Sequence, residues 1–540
     1  MRGIDAAEAG RIIAKTRQSG KIIAHWRIYL AYAVALLSVG MAVATLGALL
    51  PIYGLEGDFA APSPPIQGLI LGLAIGGGAV GVLFTDILTR RNYSTRDVGI
   101  FGMGFLVMTL VFSVIVPSAL LFALASAGGG VGGGIAVFSL GKYCRETLPA
   151  LAHKRLAVVA DLSFLFGALL AIVVIALLNS GVLIGSAGGV LLLAVPVVAA
   201  GLSMALLSGL PNSPYFYLRD NNFEDAARAI ANLRVSAPGR VALELDELYQ
   251  EVKRELEVRS KRDEQNRQDW QCQQWNQRKQ ADRGVQSSYG AFGTFSNETG
   301  RNSQSEPDRQ EKLGKGTKEG KDGRPNRGIE HFPVSATSHR TALQAGISAV
   351  AAQTSGAAVM VVYAPLILSW TNLMWWKALL IGVCVVAAAG GAMAYRVLVR
   401  PPAMVRLVRA PRHGLILGNV ISAVMLGLLA LNFRFVTPYA MRGWIPVVLL
   451  IATHLLVAAT VIFPASNYMT RMYVPGRVRA RTHALSLLVL GVGVGVFLTV
   501  VQVLGVVLTF VVMSLVSVLG LGAVLACFPP AGREESSVTT

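Results

Sequence analysis

Acidic residues are missing from the whole second apolar block of the chain: not one Asp or Glu occurs between Glu330 and Glu534, and none between Arg27 and Glu56. Paired-carboxylate catalysis and carboxylate-held metals are therefore excluded from those stretches. Cysteine is scarce as well. Cys144, Cys272, Cys384 and Cys527 are scattered, without the spacing of a metal cluster or an obvious external pair, which excludes a disulfide framework. Charged residues make up only 14% of the chain, against 53% hydrophobic residues, a balance that no soluble single core can bury. The first 28 residues are too polar for a cleaved signal, so the first apolar run serves as its own insertion signal. No nucleophile, metal or nucleotide constellation is present, so neither covalent chemistry nor a cofactor is expected.

What the chain has in abundance is long apolar runs. Two blocks, 29–210 and 341–528, flank a polar, basic stretch. The first block parses into spans at 29–52, 67–88, 98–116, 119–141, 156–178 and 182–209. The second gives 343–368, 375–398, 413–433, 443–466, 483–502 and 505–527. The expected fold is all-α and integral to the membrane, with twelve transmembrane helices in two six-helix bundles. Lys and Arg crowd every second loop, from Lys21 and Arg27 through Arg90 and Arg91 to Arg477, Arg479 and Arg481, while the intervening loops hold almost none. Both termini, 1–28 and 529–540, and the central stretch are thus expected on the cytoplasmic side. The length of that stretch favours the plasma membrane.

The formal charge of +18 sits mainly in short loops beside spans, where orientation and anionic headgroups account for it. The bilayer, not nucleic acid, is the expected partner. Within the central stretch, residues 211–259 have helical periodicity, with Phe223, Ala226, Ala227, Ile230 and Leu233 spaced for one face. Residues 260–340 are rich in Gln, Lys, Arg, Gly and Ser and predict a disordered basic linker, because burial there cannot offset the entropy of ordering.

Several short motifs follow one another in a recognisable order. Leu210-Pro211-Asn212-Ser213-Pro214-Tyr215-Phe216-Tyr217-Leu218, then Phe223-Glu224-Asp225-Ala226-Ala227 and Leu233-Arg234, resembles the signature that follows the sixth span in sugar porters of the major facilitator superfamily. Pro475-Gly476-Arg477-Val478-Arg479-Ala480-Arg481-Thr482-His483-Ala484-Leu485-Ser486 is similar to a segment of the phosphate:proton symporters of that superfamily, as is Gly40-Met41-Ala42-Val43-Ala44-Thr45 in the first span. Weaker likenesses are Asp86-x3-Arg90-Arg91, Glu146-x2-Pro149 with Arg155, Gln353-x2-Gly356-x6-Tyr363, and Pro529-Pro530-x-Gly532-Arg533. The resemblance implies a carrier that exposes a central site alternately to each side of the membrane. It also implies cytoplasmic gates, with Asp86 opposite Arg90 and Arg91, and Glu146 with Arg155 opposite Arg477, Arg479 and Arg481. Plain topogenic anchoring by the arginines is the competing reading.

Departures from the family pattern bear on the substrate. Leu46 stands where the phosphate symporters have an aspartate, Gly132-Gly133-Gly134-Ile135 lacks their acid and phenol, and the seventh span keeps one amide of the sugar porters' pair. Polar residues inside spans are costly unless paired, so each is a candidate site. Gln353, Gly356, Met360 and Tyr363 share one helical face, and the amide and phenol there could bind a solute or bond a neighbouring helix. His454 could take an anion or a proton, or simply pack. Asp161 is the candidate proton carrier, or else the partner of Lys154 or Arg155; Thr45 is a weaker substrate candidate. The segment at 475–486 makes inorganic phosphate or a related anion the first expectation for the substrate, with a proton as candidate co-substrate. The alternatives are a sugar or polyol carried without proton coupling, and a transporter-like sensor that moves no solute.

Overall fold

Lipid offers a peptide group no hydrogen bond, so a long apolar run must close its own backbone bonds. Every described element is accordingly a helix. The computed structural model describes residues 25–56, 63–115, 119–148, 187–233, 339–356, 411–435 and 476–528, with Arg11 and separate positions within 159–171, 245–274 and 358–363. Two compact units divide the chain, Met1–Tyr249 with Ala336–Thr540, and Gln250–Ser335. The predicted eighth and tenth spans, most of the fifth, and Arg155, Asp161 and His454 lie outside the described residues.

The first half begins with α1 (His25–Glu56), α2 (Pro64–Arg90), α3 (Thr95–Ile115), α4 (Ala119–Thr147) and α5 (Ala187–Ser208), which overlap the predicted first to fourth and sixth spans. Local chemistry sets their ends. Pro64 and Pro65 start α2 where no amide donor is needed, and Asn92, with φ 63, ends it in the left-handed conformation that asparagine tolerates. Beyond α5 come the short α6 (Pro214–Arg219) and α7 (Phe223–Leu233). Ser213 caps α6 by accepting from the Tyr215 amide at 3.2 Å, and Asn222 caps α7 by accepting from the Asp225 amide at 3.2 Å. The buried face of α7 contains Ala226, Ala227, Ile230 and Leu233, the stripe that the periodicity predicts.

The second half contributes α8 (His339–Thr354), α9 (Pro411–Phe435) and α10 (Gly476–Cys527). Six of the described helices are long and apolar enough to cross a membrane. With 52 residues, α10 would be about 78 Å long if straight, more than twice the thickness of bilayer hydrocarbon. It is not straight. Gly505, at φ 78 and ψ 166, interrupts it, and in that region of backbone space only glycine is unstrained. The predicted boundary between the last two spans, at 502–505, falls on this residue. After it the second limb runs antiparallel to α9, with Ser514 donating to the Ala423 carbonyl at 2.7 Å and Ser517 to the Asn419 carbonyl at 3.0 Å.

Two expectations change. The seventh span is not one helix over 343–368: α8 ends at Thr354, Gly356 has φ 73, and helix resumes at the described positions from 358. The positions described between Ser260 and Gln274 are helical, where composition predicts no order. Gln, Glu, Lys and Arg are good helix formers, and a reading based only on burial overlooks that propensity.

Glycine decides how the spans meet. A Cβ at Gly130 of α4 would overlap the Ala74 backbone of α2, and one at Gly134 would stand 2.8 Å from the Gly78 Cα. Another side of α2 meets α10 in the same way: a Cβ at Gly72 would lie 2.6 Å from the Gly491 carbonyl oxygen, and one at Gly491 would lie 2.8 Å from that of Gly72. Backbone therefore touches backbone on two sides of α2, as small residues allow in a membrane. Below this seam Ala79 and Val82 of α2 pack on Ala480 and Ala484 of α10. Gly76 differs, because nothing lies within 4 Å of where its Cβ would be. Gly130→Ala should cost about 3 kcal/mol by overpacking, whereas Gly76→Ala should be neutral or stabilise by up to about 1 kcal/mol through helix propensity. Thermal unfolding of the two purified variants checks the order; equal losses would mean that the close contact is not the reason for glycine.

Candidate functional site

At one end of the first half, the segment after α5 is tied to α2, α3 and α4 by their side chains and by its own. Ser94 donates to Asn212 Oδ1 at 2.9 Å, Tyr143 to the Pro211 carbonyl at 2.7 Å, and Arg219 to the Thr89 carbonyl at 3.2 Å, while Arg96 bonds both the Leu210 carbonyl and Asp97. The Pro-Asn-Ser-Pro stretch is thus a strap across the ends of α2, α3 and α4. Burial, then the charge of Asp225, pushes the Tyr217 phenol above its usual value, so it stays a neutral hydroxyl beside this strap.

The residues expected to gate fall here too. Asp86 pairs with Arg90 one turn further along α2, and Arg91 caps that helix, exposed. Glu146 accepts from Thr95 Oγ1 at 3.0 Å and stands 4.0 Å from Lys142 of its own helix. In this structure both carboxylates are held within the first half, not across to α10. Arg479 is half-buried and Arg481 exposed; only the helical backbone of Arg477 is described. Around them, Ala480 and Ala484 are buried against α2, and His483 meets Phe138 of α4 edge-on at 6.0 Å. Residues 480–484 of the 475–486 segment therefore make contact between α10 and the first-half helices, while Ser486, its last residue, reaches α8.

Deeper in the membrane, α8 lies along the first limb of α10. Gln353 donates its amide to Ser486 Oγ at 2.9 Å, and two turns on Tyr363 donates to the Val494 carbonyl at 2.8 Å and stacks on Phe497 with centroids 4.8 Å apart. The two residues differ in what they leave over. Tyr363 is buried with its hydroxyl engaged by a helix backbone, so helix bonding is its role here. Gln353 keeps a buried carbonyl oxygen, Oε1, with no hydrogen-bond partner. Such an acceptor costs roughly 1–3 kcal/mol until a donor reaches it. It sits next to the break at Gly356, and interrupted helices are where carriers build solute sites.

Thr45 does not join this group. It is fully buried, and it continues at seven-residue intervals the stripe of α1 on which the Ala31 carbonyl accepts from Ser203 and Ser38 donates to the Pro196 carbonyl, both of α5. Its hydroxyl finds no partner. Asn432, near the end of α9, escaped the sequence reading: it is 4% exposed and neither amide atom has a hydrogen-bond partner. A polar residue in the last turn of a span carries no signal of burial, since such positions usually reach headgroups.

Residues 31–285 match the family model described as sugar (and other) transporter. No curated protein sequence matches the chain. Among solved structures, the xylose transporter XylE from E. coli in a partially occluded inward-open conformation superposes with a TM-score of 0.64 at 15% identity, covering 94% of this chain and 98% of that one. The proton:xylose symporter XylE bound to 6-bromo-6-deoxy-D-glucose gives 0.62 at 15% identity, covering 94% and 96%. The POT family transporter PepTSo gives 0.55 at 10% identity, covering 93% and 96%. Likeness at these identities establishes the twelve-span fold.

Asn432→Leu should raise stability by about 1–2 kcal/mol, because it removes an amide buried without partners. A melting temperature lowered by that substitution would show that the amide is bonded in the native state.

Proposed function

We propose that this chain, a membrane solute transporter of the major facilitator superfamily and its sugar-porter branch, carries a neutral sugar or polyol by alternating access and without proton coupling. The observation that carries the reading is the free acceptor of Gln353, fixed by Ser486 and beside the broken turn of the seventh span. A sugar hydroxyl can donate to that oxygen. Phosphate, the first expectation from the 475–486 segment, brings one or two P–OH donors but otherwise bare negative oxygens that such an acceptor repels, so it gives way to the sugar reading. The family match over residues 31–285 favours the same choice.

Absence of coupling rests on composition. The solved neighbour is a proton:xylose symporter, yet the first span of this chain holds no acid and its second half holds none between Glu330 and Glu534. Asp161 of the predicted fifth span is, on this reading, the partner of Lys154 or Arg155 and not a proton carrier; a carrier without a titrating carboxylate on its path equilibrates its solute instead of accumulating it.

Uptake of radiolabelled glucose, xylose, a linear polyol and phosphate into proteoliposomes, with and without an imposed pH gradient, tests this. Sugar or polyol should enter to equal concentration and ignore the gradient; phosphate flux without sugar flux, or gradient-driven accumulation, would overturn the proposal. Gln353→Ala should raise KM roughly tenfold, the loss of one buried hydrogen bond to solute. Tyr363→Phe should leave KM within about twofold and lower stability by about 1 kcal/mol, the loss of one helix tie.

A further inference from the structure

We propose that Gly520 is a positioning residue for the transport site: its missing side chain admits Thr354, and so fixes the broken turn of α8 that presents Gln353. The inference rests on the reading of Gln353 given above. The turn is built locally from three ties. Thr354 Oγ1 donates to the Ala351 carbonyl at 3.2 Å, Ser355 Oγ to the Ala352 carbonyl at 2.7 Å, and the Gly356 amide to the Gln353 carbonyl at 3.1 Å. Helix restarts where the Met360 amide donates to the Gly356 carbonyl at 2.9 Å.

None of these ties determines where the turn lies in the bundle, and the second limb of α10 does. A Cβ at Gly520 would fall well inside contact distance of Thr354 Oγ1, 3.3 Å from Thr354 Cβ and 3.4 Å from Asn419 Oδ1. The walls of this notch are rigid. Thr354 is β-branched and has its hydroxyl bonded back to its own helix, while Asn419 donates to the Leu415 carbonyl at 2.9 Å and its own carbonyl accepts from Ser517 at 3.0 Å. Asn419 and Ser517 are both fully buried. Two turns away along α10, Met513 covers Gly356, its Cε 2.9 Å from where a Cβ would be. That contact is soft, because methionine can rotate away. The notch at Gly520 is therefore the firm locator and Met513 the yielding one. Filling the notch pushes on Thr354, the residue next to Gln353, and a shift of a fraction of an ångström there misplaces the free acceptor that meets the solute.

The test uses the full-length protein in proteoliposomes. Gly520→Ala should raise KM for the carried sugar about tenfold and change turnover at saturation by less than about threefold. Gly520→Ala combined with Thr354→Ala, which removes the atom that the new methyl would strike, should return KM to within about threefold of the wild type. An unchanged KM with only a lower melting temperature, or a double variant no better than the single, would overturn the inference. Should Gly520→Ala not reach the membrane, Thr354→Gly empties the notch and carries the same test, with KM raised and turnover kept; an unaltered KM sinks it. If the wild type moves no sugar or polyol, the proposed function fails separately. The positioning role is then read from Gln353→Cys, in a chain whose Cys144, Cys272, Cys384 and Cys527 are replaced by Ala, labelled with a water-soluble maleimide. Gly520→Ala should change its labelling rate at least about threefold, and equal rates would overturn the role.

Discussion

Backbone contact through glycine along α2 is what the rest of the arrangement depends on. Lipid chains are as apolar as leucine, so helices gain little by hiding apolar side chains from them, and association needs close packing and hydrogen bonds. α2 supplies the close packing on two sides at once, against Gly130 and Gly134 of α4 and against Gly491 and Gly495 of α10. Its apolar residues nevertheless join the core of the second half. Ile70, Leu71, Ala74 and Ile75 pack with Leu426, Leu429, Val494 and Phe510 of the second half, although α2 is covalently part of the first. Contacts made of backbone and small side chains have few interlocking knobs, which suits a surface on which two halves must move.

Hydrogen bonds between spans supplement that packing where a hydroxyl or amide reaches a neighbour. Ser38 and Ser203 tie α1 to α5, Ser514 and Ser517 tie α10 to α9, and Gln353 and Tyr363 tie the seventh span to α10. Most other hydroxyls in the spans bond their own helix, as Thr109, Ser113 and Ser139 do, and these are silent. Against that background an acceptor left over beside a helix break stands out. Asn432 and Thr45 also keep buried polar atoms without partners; Gln353 differs from them by its place beside an interrupted span.

The sequence was legible wherever the bilayer itself imposes the rule. Among the described residues, run length found α1 to α5 and α9 with ends shifted by a few residues, and the break between the last two predicted spans fell where Gly505 turns the chain. The strap after α5 was visible as a motif, though only as a likeness; its bonds to Ser94 and Tyr143, and that of the following Arg219 to the Thr89 carbonyl, join it to separate elements. The site was less legible. Spacing of 3, 4 and 3 placed Gln353, Gly356, Met360 and Tyr363 on one face of an unbroken helix; the left-handed Gly356 breaks that helix, and while Gln353 and Tyr363 both reach the first limb of α10, Gly356 is covered by Met513 of the second. A glycine in a membrane span reads equally as close packing or as a turn, and local sequence does not separate the two.

Composition and periodicity alone determined a multi-span helical protein with every second loop basic and a second apolar block empty of carboxylates, because each of those follows from the cost of moving charge and peptide groups into hydrocarbon. Tertiary structure decided which polar groups are spent and which are free. It gave Tyr363 to the Val494 carbonyl, turned Glu146 toward Thr95, buried Thr45, and left one oxygen of Gln353 without a donor. Hydrogen bonding is a property of pairs, and the partners here lie as far apart in sequence as residues 353 and 486, so only the packed helices could assign them.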